Sequence, residues 1–224
     1  MIVTIDGPAG TGKSTVAKKL AEALGFIYFD TGALYRAISW KILHDKIELA
    51  DETAIGEMLK TFSFHIETEE NQKIYFVEKH DVTTAIRSQE VTAIVSEVSA
   101  MKSVRDAMRP LQEVFSREGS TVFEGRDLGT VIFPRADVKF FLTARPEVRA
   151  TRRLKDMKQR FPDRAVEFSY DEILQNIKER DAFDSTRSLA PLRQAEDAIL
   201  VDTSDLSLEE VISMLRKKVK EKIV

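Results

Sequence analysis

The segment Gly7-Pro8-Ala9-Gly10-Thr11-Gly12-Lys13-Ser14 matches the phosphate-loop pattern G-x-x-x-x-G-K-[ST] at every fixed position. It directly follows an apolar run, Ile2–Ile5, and directly precedes a helical pattern from Thr15, which is the context that the pattern requires. The glycines let the backbone curl so that N–H groups point at a phosphate, and the following helix adds its positive end. The segment through Thr15 therefore predicts a nucleoside triphosphate site, in which Lys13 contacts the β and γ phosphates and Ser14 ligates Mg²⁺.

Short apolar runs recur along the chain and are separated by segments with helical periodicity. The runs are continuous rather than alternating, as expected of strands covered on both faces. They are Ile2–Ile5, Phe26–Phe29, Thr121–Phe123, Val138–Leu142 and Ala198–Val201. The predicted helices are Thr15–Leu24, Glu90–Phe115, Pro146–Met157, Asp171–Phe183 and Ser207–Val224, the last with Ser207 as its N-cap. This alternation predicts an α/β fold, a phosphate-loop three-layer sandwich with a five-stranded parallel sheet.

One stretch departs from this pattern. Phe62–Glu67 and Lys73–Glu78 both alternate between apolar and polar residues, and the polar Glu69-Glu70-Asn71-Gln72 lies between them. This pattern is typical of a β-hairpin. We therefore expect a small antiparallel insert over residues of about 62 to 84, packed on its neighbours because an isolated hairpin is barely stable.

The composition excludes several classes of protein. The chain has 224 residues, 34 basic and 37 acidic, for a net charge of −3, and it has no cysteine. Disulfide scaffolds and thiolate metal sites are thereby excluded, and a nucleic-acid partner is disfavoured because such proteins are usually basic. No apolar run approaches the roughly 18 residues of a membrane span, and the N-terminus lacks the basic region of a signal peptide. We expect one cytoplasmic domain with no membrane association.

The chain lacks the base-reading and switch motifs of a GTPase, but it carries a concentration of arginines. Nine of the 17 arginines lie between Arg145 and Arg193. Helical spacing predicts that Arg149, Arg152 and Arg153 share one face, and that Arg180, Asp184 and Arg187 form one line. The polar segment Lys155–Ser169 between these helices is predicted to be a mobile flap. Such a flap suits phosphoryl transfer, because closing it brings positive charge to the phosphates and excludes water.

Two further segments follow predicted strands, at the edge of a parallel sheet where ligands bind. Asp30-Thr31-Gly32-Ala33-Leu34-Tyr35-Arg36 follows the second strand, and Arg36 is a candidate for the phosphate of an acceptor. Glu124-Gly125-Arg126-Asp127-Leu128-Gly129 follows the third strand and supplies a cation and two carboxylates. Asp30 and Glu124 are candidates for the outer shell of the metal.

The chain resembles the bacterial cytidylate kinases. The resemblance rests on the phosphate loop, on Asp30–Arg36, on the run Gly125–Pro134 and on Lys178-Glu179-Arg180-Asp181, which occur in the family's order. It extends from about residue 2 to about residue 220. Glu124 stands where the family usually has Asp, and Thr31 stands where Ser is more familiar; both keep the chemical character of the side chain.

The resemblance implies transfer of the γ-phosphoryl group from ATP to CMP or dCMP with Mg²⁺, in pyrimidine nucleotide metabolism. It implies one kinase domain with a core at about 1–30, 115–145 and 188–224, a monophosphate-binding region at about 31–114 and a LID at about 150–187. It also leans toward a monomer.

By motif position, the resemblance implies roles for individual residues. The expected readers of the cytosine edge are Ser96, Arg105 and Asp127; the expected monophosphate ligands are Arg36, Arg126 and Arg187; Arg180 and Asp184 are expected at the ribose and phosphate, and Thr31 near the sugar. The expected catalytic set is Lys13, Arg126, Asp127, Arg149, Arg152 and Arg153. The cytosine amine can donate to Asp127, whereas uracil has a carbonyl at that position and would be repelled.

Two alternatives stay open on sequence grounds. One is a kinase for a different small acceptor, such as AMP, UMP or a non-nucleotide alcohol. The other is a regulatory module that binds ATP without transferring phosphate. An acceptor competition assay separates the first alternative, and ATP consumption that is independent of any acceptor would favour the second.

Overall fold

The computed structural model describes residues 1–70 and 72–223. In chain order, its helices and strands are β1 (Ile2–Asp6), α1 (Lys13–Leu24), β2 (Ile27–Asp30), α2 (Thr31–His44), α3 (Glu52–Thr61), β3 (Phe64–Glu69), β4 (Gln72–Val77), β5 (His80–Asp81), α4 (Gln89–Val98), α5 (Lys102–Arg117), β6 (Thr121–Glu124), β7 (Val138–Thr143), α6 (Pro146–Arg160), α7 (Tyr170–Thr186), β8 (Ile199–Asp202) and α8 (Leu208–Ile223). Of the helices in this part of the chain, none is long and apolar enough to cross a membrane.

The predicted five-stranded parallel sheet is confirmed, with strand order β2-β6-β1-β7-β8. The central strand β1 pairs in parallel with both β6 and β7, so that Val3 lies opposite Val122 on one side and Val138 on the other. Because β1 is central, the segment that follows it lies at the middle of the sheet's carboxyl edge, the position that phosphate-binding loops use.

The chain divides into two compact units. The first comprises Met1–Phe29 and the residues from Phe115 onward, and the second comprises Asp30–Val114. The core of the first unit packs β1 and β7 against α1 and α8, with Ile5, Leu20 and Leu215 fully buried. This burial on both faces explains why its strands appear in the sequence as continuous apolar runs.

The second unit has a core of its own. It joins α2, α3 and α4 to a small sheet, with Ile38, Ile55 and Val77 fully buried. The predicted antiparallel insert is confirmed and contains a third strand, in the order β3-β4-β5. Asn71, in the predicted turn, lies outside the described residues.

The helices differ from the sequence-based prediction in several places. The single helix expected over Glu90–Phe115 is wrong: α4 ends at Val98 and α5 begins at Lys102. The side chain of Ser99 bonds back to the Ser96 carbonyl oxygen at 2.9 Å, which is how a serine competes with helical hydrogen bonding. Helices α2 and α3 have no counterpart in the prediction.

Two corrections affect the arginine-rich region. Helix α6 extends beyond the predicted end at Met157 to Arg160, and a 3₁₀ helix covers Pro162–Glu167. The role of Lys155–Ser169 as a mobile flap stays a prediction. Helix α7 ends at Thr186, so Arg187 is its C-cap and does not continue the helical line predicted from Arg180. The predicted start of the last helix is confirmed, because Ser207 and Glu210 form a reciprocal capping box; its predicted last residue, Val224, lies outside the described residues.

Candidate active site

The predicted phosphate loop connects the central strand β1 to α1. Gly7 has a φ of 143°, and a β-carbon at this position would collide with the carbonyl oxygen of Leu142 on the neighbouring strand. Only glycine fits there. Gly12 is left-handed, with a φ of 88°, and turns the chain into α1. The first N–H groups of α1 have no acceptor within the helix, so this turn offers donors and a positive helix end to an anion.

The lysine of the loop is buried within it. The Lys13 Nζ donates to the Pro8 carbonyl oxygen at 2.7 Å, and the residue is only 6% exposed. Burial and the nearby guanidinium groups of Arg126 and Arg180 lower the pKa of Lys13 well below its usual value, while the carboxylate of Glu124 opposes this shift. A phosphate group brought beside this amine would stabilise its charged form.

The loop also presents a ligand suited to Mg²⁺. Ser14 follows Lys13 directly and is exposed on the first turn of α1. Within residues 1–70 and 72–223, no group of three or more His, Cys, Asp or Glu side chains is close enough to hold a metal ion. Mg²⁺ commonly binds through one or two hard oxygen ligands, the substrate phosphates and water, and the hydroxyl of Ser14 fits that use.

Ion pairs join three of the expected substrate-binding arginines to buried carboxylates of the first unit. The Arg126 Nε lies 3.2 Å from the Asp184 Oδ2, and the Arg180 Nε lies 3.8 Å from the same oxygen. The Arg187 Nη2 lies 3.3 Å from the Asp127 Oδ1. Burial, with a contribution from Arg126, lowers the pKa of Arg180 to about 10, so its guanidinium remains charged at neutral pH.

The three arginines of α6 have different surroundings. Arg149 is 3% exposed; it donates to the carbonyl oxygens of Ala144 and Ala9, at 2.9 and 3.1 Å, and pairs with Asp181 at 2.6 Å. Arg152 donates to the hydroxyl and carbonyl oxygens of Thr203 at 3.0 and 2.6 Å. Arg149 and Arg152 thus contact the protein's own backbone.

The third arginine, Arg153, is exposed, and its charge contributes to lowering the pKa of Arg180. Their spacing and position predicted one catalytic role for all three α6 arginines. The structure separates their contacts, because i, i+3 and i+4 spacing sets a shared helix face but not the partner that each side chain meets.

In the second unit, two arginines expected to bind the substrate contact residues of the same unit. Arg36 donates to the Ile86 carbonyl oxygen at 3.2 Å and to the Thr92 hydroxyl at 2.9 Å. Arg105 is buried, donates to the Ser99 carbonyl oxygen at 3.0 Å and lies 5.9 Å from the centre of the Tyr35 ring.

The remaining expected residues of this unit lie on its helices. Thr31 is buried at the start of α2, and Ser96 is half-buried on α4. Asp30, a candidate for the metal's outer shell, caps α2 by accepting from the Ala33 N–H at 3.0 Å.

The structure adds contacts for three further residues of the first unit that are candidates for function. The carboxylate of Glu124, at the end of β6, is buried and accepts from the Tyr28 hydroxyl at 2.9 Å. The hydroxyl of Thr203 lies 3.2 Å from the carbonyl oxygens of both Thr11 and Thr143, and no sequence motif marks it. Asp6 accepts two backbone N–H groups, and its place directly before Gly7 was the available signal.

Comparison with known proteins assigns the chain to a family. The family model described as cytidylate kinase matches residues 3–221. The chain belongs to the cytidylate kinase family. A protein named cytidylate kinase from Protochlamydia amoebophila is 50% identical over 212 residues, covering 95% of this chain and 93% of its own. A second, from Carboxydothermus hydrogenoformans, is 46% identical, with coverage of 96% and 95%.

A solved structure supports the fold alone. An uncharacterized protein from Eubacterium ventriosum aligns with a TM-score of 0.50 at 14% identity, over 98% of both chains. Membership of the cytidylate kinase family confirms the resemblance drawn from the motifs, and with it the expectation of an enzyme rather than a purely regulatory ATP-binding module. The roles expected of individual residues stay predictions.

Proposed function

We propose that this chain transfers the γ-phosphoryl group of ATP to CMP or dCMP, with the phosphate loop binding ATP and the arginines of the first unit neutralising phosphate charge. Membership of the cytidylate kinase family supports the reaction. The observation that carries the roles of the arginines is geometric: Arg126 and Arg180 both pair with Asp184, at 3.2 and 3.8 Å, and the charges of both contribute to lowering the pKa of Lys13. Three basic side chains beside one phosphate loop suit phosphoryl transfer, because positioning and positive charge supply most of the catalysis in that reaction.

On the donor side, the backbone of residues 7–15 binds the triphosphate. Its N–H groups and the positive end of α1 receive the phosphate oxygens, and Lys13 exchanges its bond to the Pro8 carbonyl for one to the β and γ phosphates. Mg²⁺, held by Ser14 and the phosphates, would supply Lewis-acid stabilisation of the transferred group.

On the acceptor side, an oxygen of the CMP phosphate attacks the γ phosphorus in line, and the bond from that phosphorus to the departing ADP oxygen breaks. Arg126 and Arg180 neutralise the phosphate, and Asp184, which now pairs with both, holds them in place. Arg187 contributes to the same phosphate, and Asp127 accepts from the cytosine amine.

The proposal also gives residues of the second unit roles in binding CMP. Arg36 contributes to monophosphate binding, Ser96 and Arg105 to recognition of the base, and Thr31 to the sugar. In regional terms, residues of about 31–114 bind the monophosphate and residues of about 150–187 act as the LID. Arg149, Arg152 and Arg153 act from the base of that LID, Arg149 through its contact with Ala9 of the phosphate loop.

The proposal extends to the setting of the enzyme: a cytoplasmic monomer that uses Mg²⁺ and small-molecule substrates and has no nucleic-acid partner. The net charge of −3 supports the last point, because polyanion binding usually rests on an excess of basic residues. Sedimentation equilibrium tests the monomer directly, since a dimer would double the 25.4 kDa mass of the chain.

A label-transfer experiment tests the reaction. The enzyme is incubated with Mg²⁺ and ATP labelled at the γ phosphate, with and without CMP, and the products are separated by chromatography. The proposal expects the label in CDP only when CMP is present. Release of the label as inorganic phosphate at the same rate with and without CMP would contradict it.

A further inference from the structure

Asp6 is the last residue of β1 and directly precedes the phosphate loop. It is 3% exposed, and both of its carboxylate oxygens accept backbone hydrogen bonds from the segment after β6. The Leu128 N–H donates to Oδ1 at 3.0 Å, and the Gly129 N–H donates to Oδ2 at 2.7 Å. The carboxylate thus connects residues that are more than 120 positions apart.

The segment that Asp6 holds carries two of the proposed substrate ligands. Leu128–Ile132 form one turn of π-helix, and Arg126 and Asp127 come immediately before it. An aspartate at the start of a helical turn ordinarily accepts N–H groups from that turn. Here Asp6 receives those of Leu128 and Gly129, and the Asp127 carboxylate pairs with Arg187. Asp6 therefore caps this turn, and the Asp127 carboxylate pairs with Arg187 instead of capping it.

Close packing makes this connection rigid. A β-carbon at Gly129 would lie 3.1 Å from the Lys139 Cδ, 3.3 Å from the Thr4 Oγ1 and 3.4 Å from the Asp6 Oδ2. Two of these distances are tighter than ordinary van der Waals contact. Glycine at 129 therefore lets the turn approach β1 closely enough for both hydrogen bonds to Asp6.

We propose that Asp6 is a positioning residue of the transfer reaction, which fixes Arg126 and Asp127 relative to the phosphate loop by holding the Leu128–Gly129 backbone. This inference rests on the proposed function. It assigns Asp6 an effect on use of the acceptor, although in sequence the residue borders the donor loop.

The charge state of Asp6 suits this role at neutral pH. Burial and the neighbouring Asp127 carboxylate raise the pKa of Asp6, the two N–H groups and Lys13 lower it, and the result is a pKa of about 6. Above pH 6 the carboxylate is mostly ionised, and an ionised carboxylate accepts two N–H donors strongly.

Asp6→Asn tests the proposal, because asparagine keeps the shape but turns an N–H₂ group toward one of the two backbone donors. We expect kcat/KM for CMP to fall about 10- to 100-fold, the scale of a misplaced catalytic group, while the Kd of a fluorescent ATP analogue changes less than twofold. Hydrogen exchange of the peptide that covers residues 127–133 should also become faster. This second measurement does not depend on which acceptor the enzyme uses.

Asp137→Asn is the matched control. The Asp137 carboxylate accepts the Ile2 N–H at 2.6 Å, at the opposite end of the same strand, so this variant also weakens a bond to β1. It should leave kcat/KM for CMP unchanged. Gly129→Ala is a second test that keeps Asp6 intact, and it should lower kcat/KM for CMP by displacing the turn.

Two results would overturn the proposal. Unchanged exchange at 127–133 in Asp6→Asn would mean that the carboxylate does not hold the turn. Equal losses of ATP and CMP binding would mean that Asp6 acts on the phosphate loop itself. Failure of the proposed function looks different: the unaltered enzyme would not phosphorylate CMP, whereas faster exchange in the variant would persist. If Asp6→Asn does not fold, Gly129→Ala decides by the same two measurements.

Discussion

The phosphate loop and the arginine–carboxylate cluster that we propose for the acceptor bind charge by different means. In residues 7–14 the backbone itself offers the N–H groups, because of the glycine conformations and the start of α1. The Lys13 side chain donates to the Pro8 carbonyl oxygen of the same loop. The arginine–carboxylate cluster consists of side-chain ion pairs, in which Arg126 and Arg180 pair with Asp184 and Arg187 pairs with Asp127. Two of these pairs join residues 58 and 60 positions apart, whereas Arg180 and Asp184 are one helical turn apart on α7.

The difference has a physical consequence. A backbone loop keeps its donors in place whichever side chains surround it, so one local motif specifies it. An ion-pair cluster holds its cations through carboxylates, so losing one carboxylate leaves a buried charge without compensation. We therefore expect substitution of the Lys13 side chain to affect turnover with little effect on stability, and substitutions in the arginine–carboxylate cluster to affect both.

The largest effect is expected at Lys13. Lys13→Met should lower kcat on the order of 10³-fold, because it removes a cation from the migrating phosphoryl group. The free energy of unfolding should stay constant or rise, since burial already disfavours the charge of this lysine. A coupled ADP-release assay and urea denaturation measure the two quantities. Lys18→Met, on the exposed side of the same helix, is the control; equal losses in the two variants would contradict the role of Lys13.

Asp127→Ala should separate acceptor use from donor binding. We expect kcat/KM for CMP to fall roughly 10²-fold or more with the loss of a base-reading hydrogen bond. The Kd for ATP should stay within about twofold, and stability should fall by about 3 kcal/mol because Arg187 loses a buried carboxylate with which it pairs.

Steady-state kinetics, ATP-analogue binding and urea denaturation check these three outcomes. Asp197→Ala removes an exposed carboxylate that pairs with Lys139 at 2.8 Å and should leave CMP turnover unchanged. If Asp127→Ala weakened ATP and CMP binding by the same factor, the separation of the two sites would fail.

Arg149 contacts both the phosphate loop and the arginine-rich helix α7, since its guanidinium donates to the Ala9 carbonyl oxygen and pairs with Asp181. Arg149→Met should destabilise the protein by about 3–5 kcal/mol, since it leaves Asp181 and the carbonyl acceptors without their buried donor. Arg145→Met breaks an exposed pair with Asp205 and should cost much less. Denaturation midpoints at constant m compare the two variants, and equal midpoints would refute the contrast.

Asp6 makes stability depend on pH in a defined direction. Its pKa is raised from 3.8 to about 6 in the folded protein, so the folded state binds a proton more tightly than the unfolded state does. Protonated Asp6 therefore stabilises the folded protein fully below pH 4. As pH rises through 6 this stabilisation is lost, and the free energy of unfolding falls by up to about 3 kcal/mol.

Urea denaturation of the unaltered protein and of Asp6→Asn, at several values between pH 4 and pH 7.5, isolates this contribution. The difference between their unfolding free energies should shift against the unaltered protein as pH rises. A difference that is constant across this range would show that Asp6 does not titrate there.

The sequence predicted the parts of the molecule that local pattern determines. The strands around Val3, Val122 and Phe140 were predictable because burial on both faces leaves continuous apolar runs, and the phosphate loop was predictable because glycine geometry is local. The break between α4 and α5 was not, since residues with good helical periodicity on both sides concealed the turn at Ser99.

The sequence also did not predict the hydrogen-bond partners of the site's side chains. Spacing predicted that Arg149 and Arg152 share a helix face, but not that they bond to Ala9 and Thr203, because such contacts depend on how distant segments approach in the fold. The role of Asp6 was hidden for the same reason: its two hydrogen-bonded partners lie after β6, far along the chain.

We propose a kinase that distinguishes its acceptor by the cytosine edge. The most direct test is a coupled ADP-release assay with ATP and Mg²⁺ against CMP, dCMP, UMP and AMP in parallel. We predict strong turnover with CMP and dCMP, and a kcat/KM for UMP and AMP that is lower by roughly 10⁴-fold, because the buried polar groups of the site would lack partners. Comparable turnover of UMP or AMP, or no turnover of CMP, would contradict recognition of the acceptor by its cytosine edge.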